Sequence, residues 1–160
     1  MPTPFKAGPI EGVIVDRLKS FHDQRGWLLE LFRSDDLGAD HVPVMGYISE
    51  TLPGVSRGPH EHVDQTDVFI FIGPGVFRVQ LWDSRSQSPT FGNAITLTCG
   101  AEQPTRLVVP PGVVHGYKCI SAVAALAYNF PNRLYKGPGR KEPVDEIRHE
   151  ADTTSPFQME

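Results

Sequence analysis

No stretch of this sequence is apolar for long enough to cross a bilayer as a helix. The first residues, MPTPFKAGPIEG, lack the apolar core of a secretory leader. Cysteine is nearly missing: Cys99 and Cys119 alone occur, too few for a disulfide framework and without metal-type spacing. Both sit in β-like apolar surroundings, which reads as buried free thiols in a reducing compartment, so the expected location is the cytoplasm. Lys and Arg form no run and the net charge is −4, which argues against nucleic acid or a membrane surface as partner. A nucleotide-sized ligand needs only one or two cations and stays open. Helical periodicity is scarce as well, with a short turn over Arg33–Asp40 as the one candidate.

What the chain has in plenty is turn residues. Its 15 Gly and 15 Pro are spread between short apolar runs, a pattern of many tight turns rather than of a disordered tail. Those runs predict strands at 12–15, 27–32, 45–49, 68–72, 76–82, 94–97, 105–109 and 124–128. Phe77-Arg78-Val79-Gln80-Leu81 alternates apolar with polar, as in a sheet with two unlike faces. The hydrophobic share is 39% and the charged share 21%, so a chain of 160 residues buries its own core as one domain. Strands at this spacing predict an all-β sandwich or barrel of jelly-roll type. Residues 136–160 are polar and Pro/Gly-rich, and are expected to pack irregularly over the barrel mouth or a partner subunit rather than to add strands.

The sharpest local feature is Arg57-Gly58-Pro59-His60-Glu61-His62. In an extended segment His60 and His62 point to the same side. Two imidazoles facing a barrel interior are costly unless they bind something, share a proton network or meet solvent. A pair of surface loop histidines is the bland alternative. Pro110-Pro111-Gly112-Val113-Val114-His115-Gly116 is a turn followed by a histidine that opens a new strand. By contrast His22, His41 and His149 stand alone and read as surface residues, while Trp27, Trp82 and the phenylalanines read as core or cavity lining. Gly73-Pro74-Gly75 reads as a strand turn, because no helix follows it.

Gly54, five residues, His60-x-His62, four residues, Asp67, five residues and Gly73 resemble the first of the two cupin motifs, and Pro110-x-Gly112-x-x-His115 resembles the second. The resemblance implies a double-stranded β-helix with His60, His62, Asp67 and His115 converging inside it. Such a set suits a divalent metal such as Zn, Fe, Mn or Ni.

A longer resemblance spans residues 21 to 117. Phe21-His22-Asp23-Gln24-Arg25-Gly26-Trp27-Leu28-Leu29-Glu30, Arg57-Gly58-Pro59-His60, Asp83-Ser84-Arg85-Ser86-Gln87-Ser88-Pro89-Thr90-Phe91-Gly92 and the stretch from Val109 to Tyr117 follow in order the F-x-D-x-R-G…E, R-G-L-H, D-x-R-x-x-S-P-T-F-G and P-x-G-x-x-H-G-F segments of the dTDP-4-dehydrorhamnose 3,5-epimerase family. The chain thus resembles metal-free cupin isomerases that move protons at C3 and C5 beside the 4-keto group of a nucleotide-linked 6-deoxyhexose. The ketone acidifies the neighbouring C–H, a neutral His takes the proton, and cations or donors stabilise the enolate. The resemblance implies His60 as base, with Arg57 beside the sugar or phosphates, His62 in the substrate site and His115 near the keto oxygen. It implies Arg25 and Glu30 on the nucleotide, across a dimer interface or within one chain. Tyr135 is the implied acid, with Tyr128 behind it. Asp152 is the implied carboxylate partner of His60, and Asp145 the alternative. A homodimer and no cofactor follow from the same resemblance.

The match also departs from the family. His62 stands where Gln is usual, no lysine occurs between His62 and Arg78 where a ketone-polarising lysine belongs, and Pro131 interrupts the tyrosine-bearing region. Two rivals follow from that: a metal-dependent cupin enzyme using His60, His62, Asp67 and His115, and a sugar- or nucleotide-binding cupin without catalysis.

Overall fold

The computed structural model describes residues 5–160. Its strands are β1 (Lys6–Ala7), β2 (Ile14–Arg17), β3 (Ser20–Asp23), β4 (Gly26–Leu29), β5 (Tyr47–Thr51), β6 (Ser56–Glu61) and β7 (Asp67–Phe71). They continue as β8 (Val76–Asp83), β9 (Asn93–Gly100), β10 (Thr105–Val109), β11 (Val113–Cys119), β12 (Ala125–Asn129) and β13 (Ile147–Arg148). One sheet runs β1-β9-β8-β11-β6-β13 and faces a second, β2-β10-β7-β12-β5, while β3 and β4 form a hairpin outside both. This is the all-β double-stranded β-helix expected of a cupin.

Strand parity decides what fills the barrel. The inward residues Phe69, Phe71, Phe77, Val79, Leu81, Leu107, Val109, Val113, Tyr117 and Cys119 form one buried cluster from both sheets. The other parity is covered too. Val68, Ile70 and Val108 pack under Leu31, Phe32 and Leu37 on one outer face. Trp82 and Val114 pack under Phe157 and Met159 on the other. Covering both faces explains why Val68-Phe69-Ile70-Phe71 runs apolar without alternation. Both cysteines are free and buried.

Most of the expected strands appear within one or two residues, and β10 matches residue for residue. Arg33–Asp40 yields a turn closed by the Leu37 N–H on the Arg33 carbonyl at 3.1 Å, followed by a short 3₁₀ turn at Ala39–His41. Three readings are corrected. The C-terminal segment does add a strand, β13, on β6, where Glu61 and His60 offered a free edge. His149 is no bare surface residue: it bonds Glu61 at 2.9 Å and packs edge-on against Phe157. Trp27 belongs neither to the core nor to the cavity, because the β3–β4 hairpin projects it 59% exposed.

The Asp83–Gly92 segment has a structural role. The fully buried Asp83 carboxylate accepts from Arg85 Nε at 2.8 Å, Ser88 Oγ at 2.6 Å and Thr90 Oγ1 at 2.5 Å, tying the β8–β9 loop. Burial alone raises the pKa of this group, but those bonds outweigh it and hold the carboxyl well below the usual range. Such stabilisation is present above the ordinary carboxylate pKa and is lost as pH falls toward the folded-state value. Asp83→Asn is therefore expected to cost about 1.5–3 kcal/mol at neutral pH. In urea melts the gap to wild type is expected to narrow below about pH 3.9. A gap independent of pH contradicts this account.

Candidate active site

The barrel is filled at one end and open at the other. Above Phe69 and Tyr117 lies a cavity of about 890 Å³, lined by β5, β6 and the 131–146 segment. An irregularity in β6 sets up its chemistry. His115 pairs with His60 and Tyr117 with Arg57, so β6 spends one more residue than β11 between the two pairs. His115 and Tyr117 both face inward, and the extra residue lets Arg57 and His60 do so as well. Gly58 makes this possible: its φ is +77°, and a Cβ there would lie 2.7 Å from the His115 carbonyl and 3.0 Å from His60 Nδ1. His62 follows two residues after His60, on the same side.

The structure brings His60, His62, Asp67 and His115 together, with one donor atom from each within 4.8 Å of all the others. The His60 and His115 rings stand 4.5 Å apart, centre to centre. Asp67 Oδ2 lies 3.1 Å from His62 Nε2 and 3.3 Å from His115 Nε2. Asp67 Oδ1 accepts from Gln65 Nε2 and Asn129 Nδ2, both at 2.8 Å. His115 Nδ1 is fixed on the Val113 carbonyl at 2.9 Å, and His62 Nδ1 on the Asp145 carbonyl. Neither ring nitrogen of His60 makes a hydrogen bond to another described residue, and the ring faces the cavity.

Electrostatics separates these groups. Burial, with His115 and His62 close by, pushes His60 down to about 2, so its imidazole is neutral at physiological pH. Burial also opposes charge on His62, but its bond to Asp67 and the charge of that carboxylate prevail and raise it to about 9. Asp67 is fully buried, and the two imidazoles overcome burial to keep it well below the usual carboxylate range. Tyr47 is pushed up to about 12, chiefly by burial.

Cations also reach the cavity. Arg57 is held by uncharged groups, Thr51 Oγ1 at 3.0 Å and the Glu50 carbonyl at 2.6 Å, so its charge is not neutralised. Arg133 and Arg148 are paired to Asp64 and Glu146. Tyr135 lies on the cavity wall, 53% exposed.

Several expected site residues fall elsewhere. Tyr128 points to the outer face, packed with the Leu37 cluster, because Ala127 and Asn129 take the inward parity of β12. Asp152 sits in an exposed turn, bonded to Thr154 at 2.7 Å, and is not among the residues that line the cavity. Asp145 reaches the site but does not pair with His60. Its carboxylate accepts the N–H groups of Val63, Asp64 and Gln65 at 2.7, 2.9 and 2.8 Å, clamping the loop that carries His62 toward Asp67. Arg25 is tied to Asp23 on the outer hairpin, and neither it nor Glu30 lines the cavity. The sequence reading missed Tyr47, Gln65 and Asn129. Only Asn129 carried a signal, as a polar residue on the inward parity of Ala125 and Ala127.

The model of the dTDP-4-dehydrorhamnose 3,5-epimerase family matches residues 7–144. The chain belongs to that family. A probable low-salt glycan biosynthesis epimerase of Haloferax volcanii is 38% identical over 127 residues, 79% of this chain and 81% of its own length. The structure of a dTDP sugar isomerase from Desulfovibrio desulfuricans superposes with a TM-score of 0.78 at 25% identity, over 93% of this chain and 91% of the other. A 3,5-epimerase from Legionella pneumophila, solved in complex with dTDP-4-keto-L-rhamnose, gives 0.71 at 25% identity, over 90% and 76%. At the cavity floor of this chain the Asp67–His62–His115 cluster takes the place in the sequence, after His62, where the resemblance led to a lysine being expected.

Proposed function

We propose that the protein is an isomerase that exchanges protons next to the 4-keto group of a nucleotide-linked 4-keto-6-deoxyhexose. The observation that carries this reading is His60: a neutral imidazole, free of hydrogen bonds to the described residues, facing an open cavity in an epimerase-family chain. A general base needs an unprotonated ring with its lone pair available, and His60 has both, although the burial that keeps it neutral also lowers its affinity for the proton. It removes the proton from the carbon beside the ketone. Arg57, whose charge is unspent, holds the diphosphate or the developing enolate oxygen.

Tyr135 returns a proton from the wall formed by the 131–146 segment, a different element from the β6 strand of His60. Tyr47, pushed up to about 12 chiefly by burial, is a poor proton donor. Tyr135→Phe is expected to lower inversion by about 10²-fold while exchange on the His60 side continues. Equal loss of exchange and inversion would remove Tyr135 from the acid role.

The protein acts as a homodimer in the cytoplasm. Phe21, Trp27 and Leu28 on the outer hairpin are 57%, 59% and 66% exposed, an apolar surface suited to a second copy. Arg25 and Glu30 lie on or beside that hairpin, off their own cavity, and contribute to nucleotide binding in the partner. Among the described residues no helix is long and apolar enough to cross a membrane.

Incubation with dTDP-4-keto-6-deoxyglucose, with the hexose resolved by NMR coupling constants, tests the reading. A sugar inverted at C3, C5 or both is expected. An unchanged sugar, with the GDP and CDP counterparts unchanged too, overturns it.

A further inference from the structure

The side-chain amide of Asn129 fixes the direction of a proton at the cavity wall. Its Nδ2 lies 2.8 Å from Asp67 Oδ1 and 2.9 Å from Tyr47 Oη. A carboxylate oxygen only accepts, so the amide turns its NH₂ group, and not its oxygen, toward Asp67. Asn129 Oδ1 is left buried without a hydrogen-bond partner. One N–H of Asn129 serves Asp67 and the other serves Tyr47, whose hydroxyl oxygen is the acceptor. The phenol's own proton cannot be given back to a group that is itself donating. Tyr47 Oη makes no second hydrogen bond to a described residue, so its O–H is an unused donor on the cavity wall.

Strand pairing puts this donor in the same part of the cavity as His60. Tyr47 pairs with Asn129, Ser49 with Ala127 and Thr51 with Ala125, so all three share the inward face of β12. Thr51 Oγ1 accepts from Arg57. Ser49 Oγ shares a hydrogen bond of 3.4 Å with Tyr117 Oη, and Tyr117 is the β11 partner of Arg57. Tyr47 is the next inward residue of β5 beyond Ser49, and His60 is the next of β6 beyond Arg57. Both line the cavity. Other polar groups at this end are engaged: His62, His115 and Gln65 with Asp67, Arg133 with Asp64, and Arg148 with Glu146.

We infer that Tyr47 is a catalytic residue whose hydroxyl donates a hydrogen bond to the 4-keto oxygen of the bound sugar and holds it as that oxygen becomes an enolate. This assignment rests on the isomerase reading. His60 takes the proton from carbon, the C–H electron pair forms the enolate double bond, and the carbonyl pair moves to oxygen. The Tyr47 O–H meets the charge where it develops. Tyr47 gives up no proton in this step. Burial pushes it up to about 12, which keeps the hydroxyl intact as a hydrogen-bond donor. No lysine occurs between His62 and Arg78 to make such a contact.

The test compares wild type with Tyr47→Phe, which removes the hydroxyl alone. Proton exchange on dTDP-4-keto-6-deoxyglucose is expected to fall about 10²–10³-fold in kcat, the usual loss of one oxyanion donor. KM, dTDP affinity and the thermal melt are expected to stay close to wild type, the signature of a contact made chiefly in the transition state. A merely structural role would move the melt or KM instead. The second readout is the carbonyl stretch of the sugar, ¹³C-labelled at C4 and bound to His60→Ala, which holds it unreacted. That band is expected at lower frequency than in the free sugar, and to move back when Tyr47→Phe is added. Exchange by wild type together with a carbonyl band indifferent to Tyr47→Phe overturns the assignment and keeps the isomerase reading. A band that responds to Tyr47→Phe, in a protein whose wild type exchanges no proton, keeps the contact and removes that reading.

Discussion

His60→Ala is expected to slow proton exchange on a 4-keto-6-deoxyhexose by about 10²–10⁴-fold, the usual contribution of a positioned general base. The size follows from how His60 is set up. Burial and two neighbouring imidazoles keep its ring neutral, and no described residue competes for its nitrogens. The bulge between the Arg57 and His60 pairs aims it into the cavity. His62 cannot substitute, because one nitrogen holds the Asp145 carbonyl and the other faces Asp67. His115 cannot either, because it lies beneath the floor with one nitrogen on Val113. Removal of the ring should leave folding intact, since His60 anchors no hydrogen-bond network. The measurement is the exchange rate of variant and wild type, with thermal melts of both. A loss under about tenfold, in a variant that melts like wild type, would move the base elsewhere.

Asp67→Ala is expected to be the most damaging single change to stability, at about 3–5 kcal/mol, the cost of removing one partner from a buried charged pair. One carboxylate serves four neighbours: Gln65, Asn129, His62 and His115. Its loss leaves two amide donors and two imidazoles without their acceptor, inside the barrel. For a chain of this length the melting temperature is expected to fall by roughly 6–20 °C. Asp67→Asn keeps the shape and one acceptor oxygen, so it should cost less. Equal melting of wild type and Asp67→Ala would show that the cluster does not depend on this carboxylate.

The parts of this architecture that were legible in the sequence are the local ones. Thr105–Val109 reads as a strand from its own β-branched residues and bounding turns, and forms one. His60 and His62 read as neighbours on one side because two-residue periodicity is a property of any extended segment, and they converge. What failed depended on distant contacts or on parity. Tyr128 and Asn129 are adjacent, so a one-residue uncertainty in where β12 begins exchanges an outer residue for an inner one. Asp152 was placed by spacing within a segment that lacks periodicity, where spacing does not fix position. Asp145 reaches the loop at Val63–Gln65 across about 80 residues of sequence, and no local pattern announces such a contact. The β6 bulge is equally silent, since it shows only once β6 is laid against β11.

The most direct test of the central claim, enolisation at the carbon beside the ketone, is NMR of dTDP-4-keto-6-deoxyglucose incubated with the wild-type protein in heavy water. Deuterium entering at C3 or C5, and nowhere in a control without protein, is the predicted result. A sugar whose C3 and C5 protons both persist, in the presence of correctly folded protein, contradicts it.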